Sequence, residues 1–289
     1  MERRYNRLLK KRRRSTFIRR TVIFMVLLVL LFVLIIYPFL NISVKSYEII
    51  KEKLPASFNN YKILQISDLY LKGTEKLSKL EGLINNANPN LVVFTGNTFI
   101  NQDEAYYENF VEMKNNISQS LIFYVSIGET ELELDQAYKK TLFDKFRDEG
   151  IYLLDDKKVE LNKGGQTITI EGVLPEKSSY DKKADKLAVS EKLRINEGKF
   201  NLVLSHNPVY ADDLGEKGAD LVLSGSRNGG WIRLPGIGGI DYGSDNKYKE
   251  DYYILPKKGV LIVSKGAGTL NGKIRLFNQR EVSEITLKR

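Results

Sequence analysis

A chain of 289 residues, 42% of them hydrophobic and none of them cysteine, has room for one large domain that stands on its own core; a disulfide scaffold and a thiolate metal site are excluded. The formal net charge of +9 would suit a nucleic-acid binder if it were spread over the fold. It is not: residues 1 to 20 hold ten Lys or Arg against the single acid Glu2, which leaves thirty-five charges of each sign in residues 21 to 289.

Directly after this basic block comes TVIFMVLLVLLFVLIIYPFL, residues 21–40, without a charge. A helix of that length, rising ~1.5 Å per residue, covers the ~30 Å hydrocarbon core of a bilayer. No small-residue cleavage site follows, so the segment reads as an uncleaved signal-anchor. The positive-inside rule then makes residues 1–20 a cytoplasmic tail and residues 21–41 a single-pass transmembrane helix in the lipid bilayer of the cell membrane. Residues 42–59 predict a charged juxtamembrane stalk and residues 60–289 one extracytoplasmic domain. A cysteine-free outer domain suits a bacterial membrane. The KKRRR run serves topology, and a neutral outer domain predicts no nucleic-acid partner.

Past residue 60 short apolar runs alternate with helical patterns. YKILQIS at 61–67 predicts a strand, residues 75–86 a helix closed by Asn88-Pro89, and LVVFTG at 91–96 a second strand, together a βαβ unit. A helix near 103–118, a strand LIFYVSIG at 121–128 and a helix near 135–149 repeat the pattern. In the second half QTITIEGV (166–173), NLVLSH (201–206), DLVLSG (220–225), VLIVSKG (260–266) and the terminal VSEITL predict strands. Residues 174–195, rich in Lys, Asp, Ser and Glu, read as a solvated helix or loop. Strands apolar at consecutive positions are buried on both faces, so the expected fold is α/β, with two mixed β-sheets packed between helices.

These strands end in polar and glycine clusters: S-D-L-Y at 67–70, G-N-T at 96–98, G-E-T-E at 128–131, S-H-N-P at 205–208 and G-S-R-N-G-G at 225–230. Ligands of open α/β sheets bind beyond the carboxyl ends of strands, so these clusters predict one shared site. Any one of them alone is also what a turn needs, and Gly96, Gly128, Gly225, Gly229 and Gly230 are each explicable by a positive φ.

The order and wording of the clusters resemble the calcineurin-like metallophosphoesterase superfamily, whose signature runs D-x-H, G-D, G-N-H-[DE], H, then G-H-x-H. LQISDL, NPNLVVFTG, LVLSHNP, ADLVLSG and GGWIRLPG are similar to its membrane-associated branch, which includes phosphodiesterases and lipid-precursor pyrophosphatases. The resemblance implies a four-layer sandwich and hydrolysis of phosphate esters by two divalent metals that clamp the phosphate and activate water. Carried over position by position, Asp68 and His206 keep two of seven ligand positions, and Glu129 is a substitute ligand where the family has asparagine. Tyr70 stands in place of a histidine, Asn97 in place of the aspartate that bridges the metals, and Ser226 and Asn228 in place of the last two histidines. Thr130 occupies the position of the histidine that protonates the leaving group, followed by Glu131.

A neutral Asn97 offers no shared anionic oxygen to screen two dications from each other, so the two-metal mechanism is not expected to operate. The quiet readings stay beside the functional ones. Asp68 fits a cap or Asx-turn, His206 a backbone hydrogen bond at a strand end, Tyr70 and Trp231 packing that closes the site, and Arg227 a solvated charge. Two functions follow. One is a pseudoenzyme that binds another membrane protein or a lipid or cell-wall precursor, with no cofactor. The other is a hydrolase of reduced design, in which Asp68, Glu129 and His206 hold one divalent metal, Mn, Fe or Zn.

Overall fold

The computed structural model describes the chain except residues 1, 36–40, 72–76, 118–120, 181–192, 194, 227, 231, 235–237, 241–246 and 271–274. Its helices are α1 (Glu2–Ile35), α2 (Ser78–Ala87), α3 (Ala105–Ile117), α4 (Glu129–Leu132), α5 (Gln136–Asp148) and α6 (Ala211–Glu216). The first strands are β1 (Ile42–Ile50), β2 (Tyr61–Ile66), β3 (Leu91–Thr95), β4 (Phe123–Ser126), β5 (Ile151–Leu154), β6 (Lys158–Lys163) and β7 (Gln166–Gly172). They are followed by β8 (Asn201–Leu204), β9 (Leu221–Ser224), the short pair β10 (Ile232–Leu234) and β11 (Gly238–Ile240), β12 (Asp251–Ile254), β13 (Val260–Val263) and β14 (Arg280–Lys288).

Two six-stranded sheets form, in the orders β1-β14-β2-β3-β4-β5 and β12-β13-β9-β8-β7-β6. Both are mixed: β2, β3, β4 and β5 run parallel, as do β7, β8, β9 and β13, while β14 and β12 bring in antiparallel pairs. Side chains on β3 alternate between two cores. Val92 and Phe94 pack toward the helices with Phe110, Phe123 and Phe146, whereas Leu91 and Val93 face the second sheet with Ile63, Leu202, Leu221 and Ile285. A third core, with Val203, Val222 and Leu261, covers the outer face of the second sheet together with Leu214 of α6. The result is the expected α/β arrangement of two sheets between helices.

Local signals act as read. Asp135 caps α5, accepting from the amides of Ala137 and Tyr138 at 2.9 and 3.0 Å, and Asn88, left-handed at φ 46°, closes α2 before Pro89. Residues 42–50, expected in a stalk, instead form β1, which pairs in parallel with β14 over its full length. The alternation in ISVKSYEII buries Tyr47 and Ile49 between the sheets and leaves Val44, Ser46, Glu48 and Ile50 outward. Residues 181–192 and 194, most of the expected polar loop, lie outside the described residues. Helix α1 carries the apolar stretch Arg12–Leu34, and its large apolar side chains from Val22 to Val33 are all exposed.

Candidate functional site

The parallel strands all end on one side, and the five clusters meet there. Backbone bonds tie them together: Asp68 N to Gly96 O, Tyr70 N to Asn97 O, Gly225 N to His206 O, and Ala267 N to Ser67 O, the last joining the two sheets at 2.8 Å. Asp68, Tyr70, Asn97, Ser226 and Asn228 all lie in the left-handed region, with φ between 50° and 71°. Such strain in non-glycine residues persists only where the surroundings fix it. Of the glycines, Gly96 needs its φ of +77°, and a Cβ there would also lie 2.6 Å from the His206 ring. Gly225 is required for space instead: a Cβ would fall 1.8 Å from Ser67 Oγ and 2.5 Å from Asp68 Oδ2.

Asp68 is fully buried and its carboxylate is the hub. Oδ1 accepts from the Tyr70 hydroxyl at 3.0 Å and the Asn97 amide at 3.1 Å, and Oδ2 from the Ser67 hydroxyl at 2.8 Å and the Ser226 amide at 3.1 Å. The set suits a carboxylate, which has only acceptors to offer. The Tyr70 oxygen also accepts from Asn97 Nδ2 at 3.3 Å and Asn228 Nδ2 at 3.1 Å. Burial, and then the Asp68 charge, push this phenol well above its ordinary pKa, so it stays a proton donor. The other end of Asn97 accepts from the amide and hydroxyl of Thr130 at 3.0 and 3.2 Å.

Glu131 has a different task. Oε2 accepts from the backbone amides of Asn97 and Gly128, both at 2.9 Å, and Oε1 from those of Thr98 and Phe99 at 2.6 and 3.0 Å. It is a buried clamp that fixes the loop after β3 to the start of α4. His206 donates from Nδ1 to the Thr95 carbonyl at 2.6 Å, the backbone bond expected of a strand-end histidine. In a neutral ring that bond keeps the proton on Nδ1 and the lone pair on Nε2. Nε2 is buried, has no hydrogen-bond partner among the described residues, and lies 3.8 Å from Asp68 Oδ1. Glu129 is exposed on α4, and among the described residues no three His, Asp or Glu side chains form a group that could hold a metal. The expected triad of Asp68, Glu129 and His206 is therefore not assembled; only Asp68 and His206 face each other. Arg227 and Trp231 lie outside the described residues.

Two participants carry no motif. Arg275 is fully buried; Nη1 donates to the Lys265 carbonyl at 2.8 Å, and Nη2 to the Gly268 carbonyl at 2.8 Å and to Asn228 Oδ1 at 2.7 Å. Burial pulls its guanidinium down to about 10, and Asp68 is the largest charge acting the other way. The only sequence signal is an arginine set among apolar neighbours in KIRLF. Tyr180, whose ring centroid is 6.1 Å from that of His206, is the second; its phenol is held well above its ordinary pKa by burial and then by the charges of Glu129 and Glu131. It follows an unmarked polar stretch, so nothing in the sequence singles it out.

Residues 61–279 match the sequence model of the calcineurin-like phosphoesterases. The chain belongs to that family. An uncharacterized Bacillus subtilis protein, YpbG, is 28% identical over 180 residues, which cover 61% of this chain and 63% of YpbG. This chain therefore matches less than two thirds of that relative's length. An uncharacterized metallophosphoesterase of Aquifex aeolicus is 26% identical over 254 residues, 86% of this chain and 92% of its own. Among solved structures, an archaeal phosphodiesterase matches 73% of this chain and 88% of its own at 12% identity, with a TM-score of 0.38.

Calcineurin-like phosphoesterases use divalent metals, and the residues present do not fit a pair of them. Both oxygens of Asp68, both ends of Asn97 and the Tyr70 hydroxyl are already engaged in hydrogen bonds, to one another and to Ser67, Ser226 and Thr130. Asn228 is turned to Arg275, a cation where the metals would need anions. What the arrangement holds is a closed proton-donor and acceptor chain, Arg275 to Asn228 to Tyr70 to Asp68.

Proposed function

We propose that this protein is a non-hydrolytic calcineurin-like phosphoesterase, a pseudoenzyme anchored in the cell membrane by α1 whose outer domain acts as a binding or scaffold module. The observation that carries this reading is Asn97. At the position of the metal-bridging aspartate it has a neutral amide that donates to Asp68 at 3.1 Å and accepts from Thr130 at 3.0 Å. Hydrogen bonds replace the shared anionic oxygen without which two dications repel each other. Thr130 adds no titratable group for leaving-group protonation. The anchoring is supported by the exposed apolar surface all round α1, which water would not tolerate and acyl chains would cover. The basic tail then faces the cytoplasm and the domain the outside, where membrane proteins and lipid or wall precursors are within reach.

One observation favours a second reading. His206 Nε2 has no hydrogen-bond partner among the described residues and points at Asp68 across 3.8 Å, an opening for a single divalent ion in a reduced hydrolase. The two readings part on metal content. The full-length protein in detergent, equilibrated with Mn and Zn and freed of unbound ion, is expected to hold no stoichiometric metal by elemental analysis and to leave phosphodiesters intact. About two ions per chain would overturn the pseudoenzyme, and about one, lost in His206→Ala along with hydrolysis, would establish the reduced hydrolase.

A further inference from the structure

One wall of a groove at the open edge of the first sheet is a single face of α5. Gln136, Lys139, Lys140, Phe143, Asp144 and Arg147 line it, a stripe spaced by three and four residues. From Lys139 to Arg147 the stripe rises ~12 Å, the length of about four residues of extended chain. The opposite wall is β5 and the start of β6, each the edge strand of its sheet. The groove encloses about 700 Å³, within the range of ligand pockets, and all of its lining comes from residues 136–159.

Lys139 is the unusual member of the stripe. It is 8% exposed, has no ion pair among the described residues, and donates to the Glu131 carbonyl at 3.4 Å, longer than an ordinary N–H···O bond. A lysine is almost never this buried without a partner, because its ammonium has three donors to satisfy. The neighbouring acids are otherwise engaged. Asp144 is shared by Lys140 at 2.5 Å and Arg147 at 2.7 Å, Asp155 pairs with Lys157 at 2.7 Å, and Asp156 accepts from the Leu174 amide at 2.9 Å. Five cations and three carboxylates line the groove, and one of the cations, Lys158, is paired with Glu171 beyond it.

The strand wall offers apolar surface and backbone groups. Tyr152 is exposed, and Leu153 and Val159 are half-buried. β5 pairs with β4 alone, and the bond from Phe123 N to the Gly150 carbonyl sets its phase. Tyr152 therefore turns its N–H and C=O to β4, and Leu153 turns its own to the open side. No proline or charge in IYLL blunts that edge. We infer that this groove binds an extended, acidic segment of a partner protein. A carboxylate of the segment pairs with Lys139, its main chain exchanges hydrogen bonds with Leu153, and an apolar side chain packs on Phe143 and Tyr152. The groove is separate from the convergent site, and neither reading of that site enters the inference.

The test is fluorescence anisotropy of a fluorescein-labelled peptide, Thr-Val-Glu-Val-Glu-Val-Thr, titrated with the full-length protein in detergent. Wild type is expected to bind it with a Kd below about 1 mM, and about tenfold more tightly than the same peptide with glutamine for glutamate. Lys139→Met keeps the buried stem and removes the charge, and is expected to bind the two peptides equally. Arg147→Glu, at an exposed position, supplies a variant whose fold is not at risk and is expected to weaken the glutamate peptide in the same sense. Methylating alternate backbone nitrogens of that peptide should weaken it too, through the lost bond to Leu153. No binding at the upper limit, or no preference for glutamate, would overturn the inference. A preference that both variants keep would assign the peptide to the basic tail, intact in all three proteins, and equally overturn it. Displacement of the peptide by inorganic phosphate at matched concentration would overturn it in favour of a small anion. Wild-type dimers that leave the peptide unbound and that Arg147→Glu makes monomeric would do so in favour of a second copy.

Discussion

Two carboxylates lie fully buried at the same end of the sheets, and they are held in different ways. Glu131 takes all four of its hydrogen bonds from backbone amides, those of Asn97, Thr98, Phe99 and Gly128. Asp68 takes three from the side chains of Ser67, Tyr70 and Asn97, and one from the backbone of Ser226. Backbone donors are present whatever the sequence does, so the Glu131 side of the site is a fixed part of the fold. Side-chain donors are chosen residue by residue. On the Asp68 side, hydroxyls and amides are presented from left-handed backbone.

Removing the fixed side is expected to cost most. Glu131→Ala leaves four buried amides without an acceptor, and at roughly 1–3 kcal/mol for each stranded donor the loss reaches the order of 5 kcal/mol, enough to unfold a domain of ordinary stability. Glu131→Gln, which keeps one acceptor oxygen, should fall between. Thermal unfolding of the full chain in detergent reads both, and a loss under about 1 kcal/mol for the alanine variant would remove the clamp from the argument.

Arg275→Met comes next. It takes away a buried cation on which Asp68 is the largest favourable charge, and breaking a buried charge pair typically costs about 3–5 kcal/mol. Burial itself opposes the guanidinium, so Asp68→Asn together with Arg275→Met should be less destabilising than the two single changes added. A double-mutant cycle measures this, with a coupling of about 1 kcal/mol or more expected and strict additivity contradicting the charge compensation.

The same division governs what the sequence could reveal. Apolar runs such as LVVF and LVLS announce strands β2, β3, β4, β8, β9 and β13, all of them interior to their sheets, because a strand covered on both faces is apolar at consecutive positions; β7 and β14, also interior, mix polar residues into QTITIEG and REVSEITLK. The four edge strands, β1, β5, β6 and β12, escape the same reading. KVELNK and ISVKSYEII mix charges into the pattern, since an edge strand keeps one side in water, and next to an anchor ISVKSYEII has the composition of a stalk. The site divides in the same way. Asp68, Tyr70, Asn97, Thr130, His206, Ser226 and Asn228 were legible because each follows an interior strand. Arg275 enters from a segment between β13 and β14 through packing alone, and no spacing marks it. Glu129, a substitute at the family's asparagine position, is exposed at the start of α4.

Placing an acid at position 97 should sharpen the contrast at a smaller energy. Asn97→Asp would put a second carboxylate oxygen where the amide nitrogen now lies 3.1 Å from Asp68 Oδ1, and like charges that close cannot both ionise without cost. In chelator the variant is expected to melt below wild type. Mn or Zn at about a hundred times its dissociation constant should return about 2–3 kcal/mol to the variant and nothing to wild type. The gain should grow when Tyr70→His adds a nitrogen donor. Metal-dependent stabilisation of wild type itself would break the comparison and favour the reduced hydrolase.

A third buried carboxylate supplies the mildest test. Among the described residues Glu171 on β7 has neither a ring of amides nor a hydroxyl network; its partner is Lys158 at 2.9 Å, an exposed cation. Burial raises its pKa above the ordinary 4.5, and the lysine opposes that only in part. With the folded pKa raised, the folded state binds a proton more readily than the unfolded one in the range above 4.5. Stability from this group is therefore present below pH 4.5 and lost as pH rises through the shifted value. Glu171→Gln removes that dependence, so the variant should gain on wild type between pH 4 and pH 7 when both are melted across the range, with Lys158 turning to solvent. A gain that shrank as pH rose would mean that Lys158 compensates Glu171 as fully as the amides compensate Glu131, and the distinction between fixed and exchangeable partners would then not extend beyond the site.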